Sequence, residues 1–331
     1  MNSVVLRVQD LKGYYKGTFG VIYAVDGVSL TIEKGDILGL AGESGCGKSS
    51  FLKLITGTPG SLLNYEGGTI EVEGYNIYKI TAKKLRKEVK CKVISYVPQS
   101  ALNALNPTIQ LKSFVADMLR ERTGHKYSGN EARELLTNHF KMLNLDKHVL
   151  DLYPHQLSGG MKQRAIVAIS TYSNPSLLLI DEPTSSLDVT SQKRMVEMLL
   201  FLYKSGTIKS MIISAHDVSM LRQICNRIAI MYAGKIVELG KTDDIINNPF
   251  HPYTKLLMVS LLPLEKWIKK EKLNSVEGKP PDLRSPPSGC RFHPRCTECM
   301  DICASQLPPL IEKEGRFVSC WLCSQEDHYV K

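Results

Sequence analysis

A chain of 331 residues, 43% of them hydrophobic and 23% charged, is long enough to bury a large core and has the composition of neither a disordered nor a collagen-like protein. Its formal charge of +9 is scattered, and the densest basic stretch, "TAKKLRKEVKCK", lacks the interleaved aromatics that stack bases, so the charge reads as solvated surface. No apolar run reaches the roughly 18 to 20 residues that span a bilayer, and "MNSVVLRVQD" has no secretory pattern, so an intracellular protein is expected.

The opening third predicts strands. "VVLRVQDL", "VIYAVDGVSLTI" and "TIEVEGYNI" mix β-branched or aromatic residues with polar ones. Residues 35–42, "GDILGLAG", are more uniformly apolar and suit a strand buried on both faces. This strand runs into "GESGCGKSS", where Gly42, Gly47, Lys48 and Ser49 fill the fixed positions of G-x-x-x-x-G-K-[ST]. The glycines let successive N–H groups curl toward phosphate, and the start of the next helix adds a favourable dipole. Lys48 is expected on the β- and γ-phosphates and the Ser49 hydroxyl on Mg²⁺. Ser44, Gly45, Cys46 and Ser50 complete the expected ATP-binding loop.

Residues 130–143 have helical spacing, with Leu135, Phe140 and Leu143 placed on one flank. In "LSGGMKQR", Ser158, Gly159 and Gly160 open another helix, a second anion-binding helix start without a lysine of its own. "SLLLID" is a second buried strand that delivers two carboxylates: Asp181 to reach Mg²⁺ through water, and Glu182 to take a proton from attacking water. "MIISAH" is a third such strand, and "RIAIMYAGKIVELG" reads as a hairpin turning at Ala233 and Gly234. Two phosphate cradles in one chain make sense if the second closes on a nucleotide held by another molecule's first.

After about residue 260 the chain turns rich in Pro, Lys and Ser, the texture of a linker. Six of the nine cysteines lie past it, beyond residue 289. In a reducing compartment such a cluster argues for metal rather than disulfides. On spacing alone, Cys296-x2-Cys299 and Cys320-x2-Cys323 resemble a four-thiolate zinc site.

Taken together these motifs resemble the ATP-binding subunits of ABC transporters. "LSGGM" is similar to their signature, Gln99 in "YVPQS" to the Q-loop glutamine, Asp188 in "SSLD" to the D-loop aspartate and His216 in "SAHD" to the switch histidine. Tyr15 is similar to the aromatic that stacks on adenine, with Tyr14 the other candidate. "NPFHPYTKLL", "QSALNALNP" and the tail "GKPPDL" to "GCRFHPRC" resemble the oligopeptide and dipeptide importer ATPases.

The resemblance implies an α/β P-loop NTPase fold of the ABC type, with an antiparallel β subdomain and a helical signature subdomain at about 100–170. It places an ATPase domain at 1–260, a linker at 261–289 and a small Cys-rich metal-binding extension at 290–331. It implies ATP hydrolysis with Mg²⁺ held by Ser49, Gln99 and Asp181, and with Glu182, His216 and Gln99 as catalytic residues. It implies a [4Fe–4S] cluster on Cys290, Cys296, Cys303 and Cys320, with Cys299 and Cys323 as alternates and zinc as the competing metal. The implied partners are a second ATPase subunit, related rather than identical, two membrane permeases and, indirectly, a solute-binding protein, all at the cytoplasmic face of the membrane. Peptides are the implied cargo, with oligosaccharides or nickel complexes as alternatives. An ABC-type ATPase of nucleic acid or ribosomes is a rival of another class; only about 110 residues separate Gly47 from Ser158, without heptads for a coiled-coil insertion.

Overall fold

The computed structural model describes residues 3–90, 92–99, 105–185, 187–259 and 278–325. In chain order the strands and helices begin with β1 (Val4–Gly17), β2 (Gly20–Glu33), β3 (Ile37–Ala41), α1 (Lys48–Ile55), β4 (Leu63–Val72), β5 (Tyr75–Asn76) and β6 (Ile94–Val97). Next are α2 (Leu111–Thr123), α3 (Gly129–Met142), α4 (Gly159–Thr171), β7 (Leu177–Asp181), α5 (Val189–Lys204), β8 (Ser210–Ala215) and α6 (Val218–Ile224). Then come β9 (Arg227–Tyr232), β10 (Lys235–Lys241), α7 (Thr242–Asn247) and α8 (Pro252–Val259), and in the tail α9 (Asp301–Ser305), β11 (Ile311–Lys313), β12 (Arg316–Val318) and α10 (Trp321–Gln325). The strands expected to be buried on both faces, β3, β7 and β8, are buried at every residue. Among the described residues no helix is long and apolar enough to cross a membrane.

Two compact units are distinguished: Met1–Leu6, Thr31–Gly35 and Glu71–Ile213 form one; Arg7–Leu30, Asp36–Ile70 and Ser214–Lys331 form the other. In the first, β6 and β7 run parallel, with Ile94 against Leu177 and Val97 against Ile180. Helix α3 opens on a reciprocal cap: Ser128 Oγ accepts the Glu131 N–H at 3.2 Å, and Glu131 Oε2 accepts the Ser128 N–H at 2.7 Å. It buries Ala132, Leu136 and Phe140. This corrects the sequence expectation for Leu135, which is 44% exposed. Five residues from Leu135 to Phe140 advance a helix to about 140° off-face, whereas four residues bring Leu136 nearly back into line.

In the second unit β3 pairs in parallel with β9, and β9 turns into β10 with Tyr232 opposite Lys235. The expected hairpin turn is there: Ala233 and Gly234 have φ of 47° and 83°, the left-handed pair that a two-residue hairpin needs. The tail extends this ribbon, β12 pairing antiparallel with β10 and β11 with β12. In the other sheet β1 lies between β2 and β4. Most of the expected linker falls outside the described residues; from Gly278 the chain is ordered by contacts such as the Tyr23 N–H donating to the Leu283 carbonyl at 3.0 Å. The tail's own apolar core is small, Val318, Cys320 and Cys323 packed with Phe250, Ile311 and Leu322.

Candidate active site

The loop at residues 42–49 is shaped by close backbone approach. A Cβ on Gly42 would sit 2.2 Å from the Met231 carbonyl oxygen, and one on Gly47 2.1 Å from that of Ala24. Gly47 precedes α1 without any side-chain cap, and the first turn of that helix carries no acidic residue. The helix start is therefore left free for an anion. Lys48 is buried, its Nζ donating to the carbonyls of Gly42 at 2.7 Å and Glu43 at 3.1 Å, with Cys46 Sγ 3.8 Å away. Burial pushes the Cys46 thiol up against the opposing pull of Lys48. Ser44 and Gly45 at the loop's tip are exposed. The two aromatic candidates differ: the Tyr14 hydroxyl donates to Asp26 Oδ1 at 2.8 Å, while that of Tyr15 lies 3.1 Å from Ser50 Oγ, on α1.

Glu43 was missed by sequence reasoning, since it fills a variable position of the motif. Its backbone N–H donates to the Tyr253 hydroxyl at 3.0 Å. Its carboxylate accepts two bonds from Arg295 of the tail, at 2.8 and 2.9 Å. The 248–257 segment thereby gains a physical role. Its turn into α8 is held by buried Glu238, which accepts the N–H groups of Phe250 and His251 at 2.8 and 3.0 Å, and by His251 Nδ1, which accepts that of Tyr253 at 3.0 Å. Full burial pushes the His251 imidazole down to about 3, so it stays neutral, as an acceptor must.

In the first unit the parallel pairing of β6 and β7 brings together residues just past the ends of the two strands. Gln99 Nε2 donates to Glu182 Oε2 at 2.5 Å, and the Tyr96 hydroxyl donates to Asp181 Oδ2 at 3.3 Å. Both carboxylates are buried, and Glu182 has φ of 48°, an unusual backbone for a non-glycine residue. Buried charge and a strained backbone are costs that functional sites commonly carry.

Ser158 is exposed and caps α4, its Oγ accepting the Met161 N–H at 3.3 Å. Gly160 packs so closely that a Cβ would lie 2.8 Å from Ser191 Oγ. Ser191 in turn donates to Asp188, through its N–H at 3.0 Å and its hydroxyl at 2.6 Å. These bonds hold the Asp188 carboxyl below the usual range. Thus the helix start at Gly160 and the Asp188 carboxylate share a neighbour, Ser191, that the motifs alone did not single out. His216 is exposed, just before Asp217, which caps α6.

The tail's thiols are neighbours. Burial pushes Cys290 up to about 11, with Cys303 and Cys320 adding to the rise; Cys296 is pushed up to about 11 chiefly by burial, with Cys320, Cys290 and Cys299 contributing. The Cys290 N–H also donates to the Cys303 carbonyl at 2.8 Å. The Cys323 thiol's hydrogen bond holds Cys320 below the usual thiol range. Among the described residues, however, no three His, Cys, Asp or Glu side chains form a group that could hold a metal ion.

A phosphate loop, a carboxylate pair at a strand end and a second glycine-opened helix define a nucleotide-hydrolysing class of protein. Comparison with known proteins agrees. Residues 25–185 match the model of the family described as ABC transporter, and residues 237–303 that described as oligopeptide/dipeptide transporter, C-terminal region. The chain is 37% identical to the dipeptide transport ATP-binding protein DppD of Caldanaerobacter subterraneus, over 97% of each chain. It is 34% identical to the oligopeptide transport ATP-binding protein AppD of Bacillus subtilis over 98% of each, and 35% identical to OppF of Salmonella typhimurium over 96% of each. Among solved structures it resembles the ATP-binding cassette MJ0796, a dimer in a post-hydrolysis state with ADP and phosphate. There the TM-score is 0.62 and the identity 26%, over 72% of this chain and 98% of that one. The chain belongs to the ABC transporter ATP-binding proteins.

Proposed function

We propose that this chain is the ATP-hydrolysing subunit of an importer for dipeptides or oligopeptides, working at the cytoplasmic face of the membrane. The relatives that match it nearly end to end are named as dipeptide and oligopeptide transport ATP-binding proteins, which supports the cargo class. The observation that carries the hydrolytic reading is the bond from Gln99 to the buried Glu182 at the ends of two parallel strands.

In this reading the loop's N–H groups and Lys48 would hold the phosphates, Ser49, Asp181 and Gln99 would hold Mg²⁺, and Tyr15 would stack on adenine. ATP must draw Lys48 from the carbonyls of Gly42 and Glu43, which hold its ammonium. Glu182 takes the proton from attacking water, while Gln99 and His216 orient water and γ-phosphate. The exposed Ser158 and Gly159, with half-buried Gly160, clasp the ATP of a second, related ATPase subunit, with Asp188 beside them. Closure of that pair on ATP, and its release on hydrolysis, drives two membrane permeases supplied by a solute-binding protein.

The tail, from residue 290 on, is read as a metal-bearing extension. The thiols of Cys290, Cys296, Cys303 and Cys320 would offer the donor chemistry of a [4Fe–4S] cluster, with Cys299 and Cys323 as alternates. Such a group would supply a cross-tie for a segment whose own apolar core is small. Iron, sulfide and zinc analysis of anaerobically purified protein checks this: brown protein with iron and sulfide is expected, and colourless protein with stoichiometric zinc would reverse the choice of metal.

Glu182→Gln tests the hydrolytic reading. Removing a general base should slow turnover by roughly 10² to 10⁴-fold while ATP still binds. Turnover at the unmodified rate would sink the assignment.

A further inference from the structure

The phosphate loop is gripped by the cysteine-rich tail. Arg295 lies one residue before Cys296, and its guanidinium makes both bonds to the Glu43 carboxylate, at 2.8 and 2.9 Å. The Arg295 side chain is only 7% exposed. Its Nη1 also donates to the Tyr232 hydroxyl at 3.2 Å, and the guanidinium lies 5.8 Å from the centre of the Tyr232 ring. The backbone beneath it is fixed as well. The Arg295 N–H donates to the Phe292 carbonyl at 2.9 Å, and Phe292, 1% exposed, packs its ring 5.2 Å from Tyr232 and 5.4 Å from Tyr253.

On the other side of the contact, Glu43 is tied both to nucleotide-binding parts and to this brace. Its carbonyl accepts from Lys48 Nζ and its N–H donates to the Tyr253 hydroxyl. A bidentate arginine–carboxylate pair fixes orientation as well as distance. Arg295 therefore sets the plane of the Glu43 side chain, and Glu43 carries one of the two carbonyls that position Lys48.

We propose that Arg295 is a positioning residue for ATP binding, holding the first turn of the phosphate loop in its nucleotide-ready shape through Glu43. This rests on the reading of residues 42–49 as the phosphate site. It gives the tail a mechanical part in the ATPase: whatever orders the segment around Cys296 also orders the loop.

The experiment uses the full chain, with MgATP titrated at equilibrium and steady-state ATPase measured for Arg295→Ala, Arg295→Lys, Glu43→Gln and the Arg295→Ala/Glu43→Gln double variant. Lys48→Ala serves as the control. Loss of the pair should raise Kd and KM for MgATP about tenfold, the scale of one charge-assisted contact, with a smaller change in kcat. Arg295→Lys should recover part of the loss, and the double variant should bind no worse than the single ones. Glu43→Gln is isosteric and keeps the backbone links to Tyr253 and Lys48, so it reports on the pair even if Arg295→Ala disturbs the tail's folding. Unchanged Kd in Arg295→Ala and Glu43→Gln, beside a Lys48→Ala protein that has lost ATP, would overturn the proposal and leave the phosphate site standing. Additive losses in the double variant would also overturn it, because Arg295 would not then act through Glu43. Normal ATP binding by Lys48→Ala would remove the phosphate-site reading itself.

Discussion

Two glycines of the phosphate loop, only two residues apart, should respond very differently to the same added methyl group. At Gly47 the backbone has φ of 111°, and a Cβ would stand 2.1 Å from the Ala24 carbonyl oxygen and 2.8 Å from Met231 Cε. Methionine can swing away, but the carbonyl belongs to β2 and would have to retreat by about 1.3 Å or more to reach an ordinary contact. A non-glycine residue at such a φ costs about 1–3 kcal/mol before the clash is counted. A combined cost of about 3 kcal/mol or more leaves under about one molecule in a hundred with the loop in shape. At Gly45 φ is 77° and a Cβ meets nothing within 4 Å, so only the left-handed backbone is penalised, by about 1–2 kcal/mol. Titration with MgATP and thermal melts of Gly47→Ala and Gly45→Ala measure the contrast. Gly47→Ala should lose more than a hundredfold in affinity or several degrees in Tm, and Gly45→Ala markedly less of both. Equal effects at the two positions, or native behaviour of Gly47→Ala, would refute the claim that backbone approach to β2 shapes the loop.

On α3, Leu136→Ala should cost about 2–5 kcal/mol and Leu135→Ala less than about 0.5 kcal/mol in denaturant unfolding, because only Leu136 is buried; similar costs would show that the face is misplaced. Burial raises the Glu238 carboxyl above its ordinary value, against the opposing N–H groups of Phe250 and His251. Its stability contribution is therefore largest below the unfolded-state value and falls as pH rises toward the folded one. The wild-type protein should lose Tm relative to Glu238→Gln as pH rises above the ordinary carboxylate range; a pH-independent difference would contradict the shift.

Where function lies in a short run of residues, the sequence was nearly sufficient. "GESGCGKSS" needs only a buried strand before it and a helix after it to make a phosphate loop, and β3 and α1 supply them. Asp188 could have been seen as a helix cap as well as a D-loop residue, since "DVTS" places a serine three residues on. Gln99 and Glu182 were named separately, but their meeting depends on the register of β6 on β7, which no local pattern encodes. Leu135 was misplaced because a helical face is decided to within one residue only by what packs against it. The 248–257 segment was recognised solely as a likeness, and the bonds that give it a reason run from Glu238 and to Glu43.

The least readable contact is one that reaches the phosphate loop, for 252 residues separate Glu43 from Arg295. A glycine-rich loop is easily deformed, because the freedom that lets its N–H groups converge also lets them disperse. Gly42 and Gly47 lie close against carbonyls of neighbouring strands, and the loop's first turn is tied through Glu43. Glu43 offers the only long side chain there that can be gripped without obstructing Lys48, and a buried arginine grips it. A lysine could match the charge, but it could not fix the carboxylate plane with two parallel bonds. That difference is why partial recovery by Arg295→Lys, rather than full recovery, separates a device that sets geometry from one that merely balances charge.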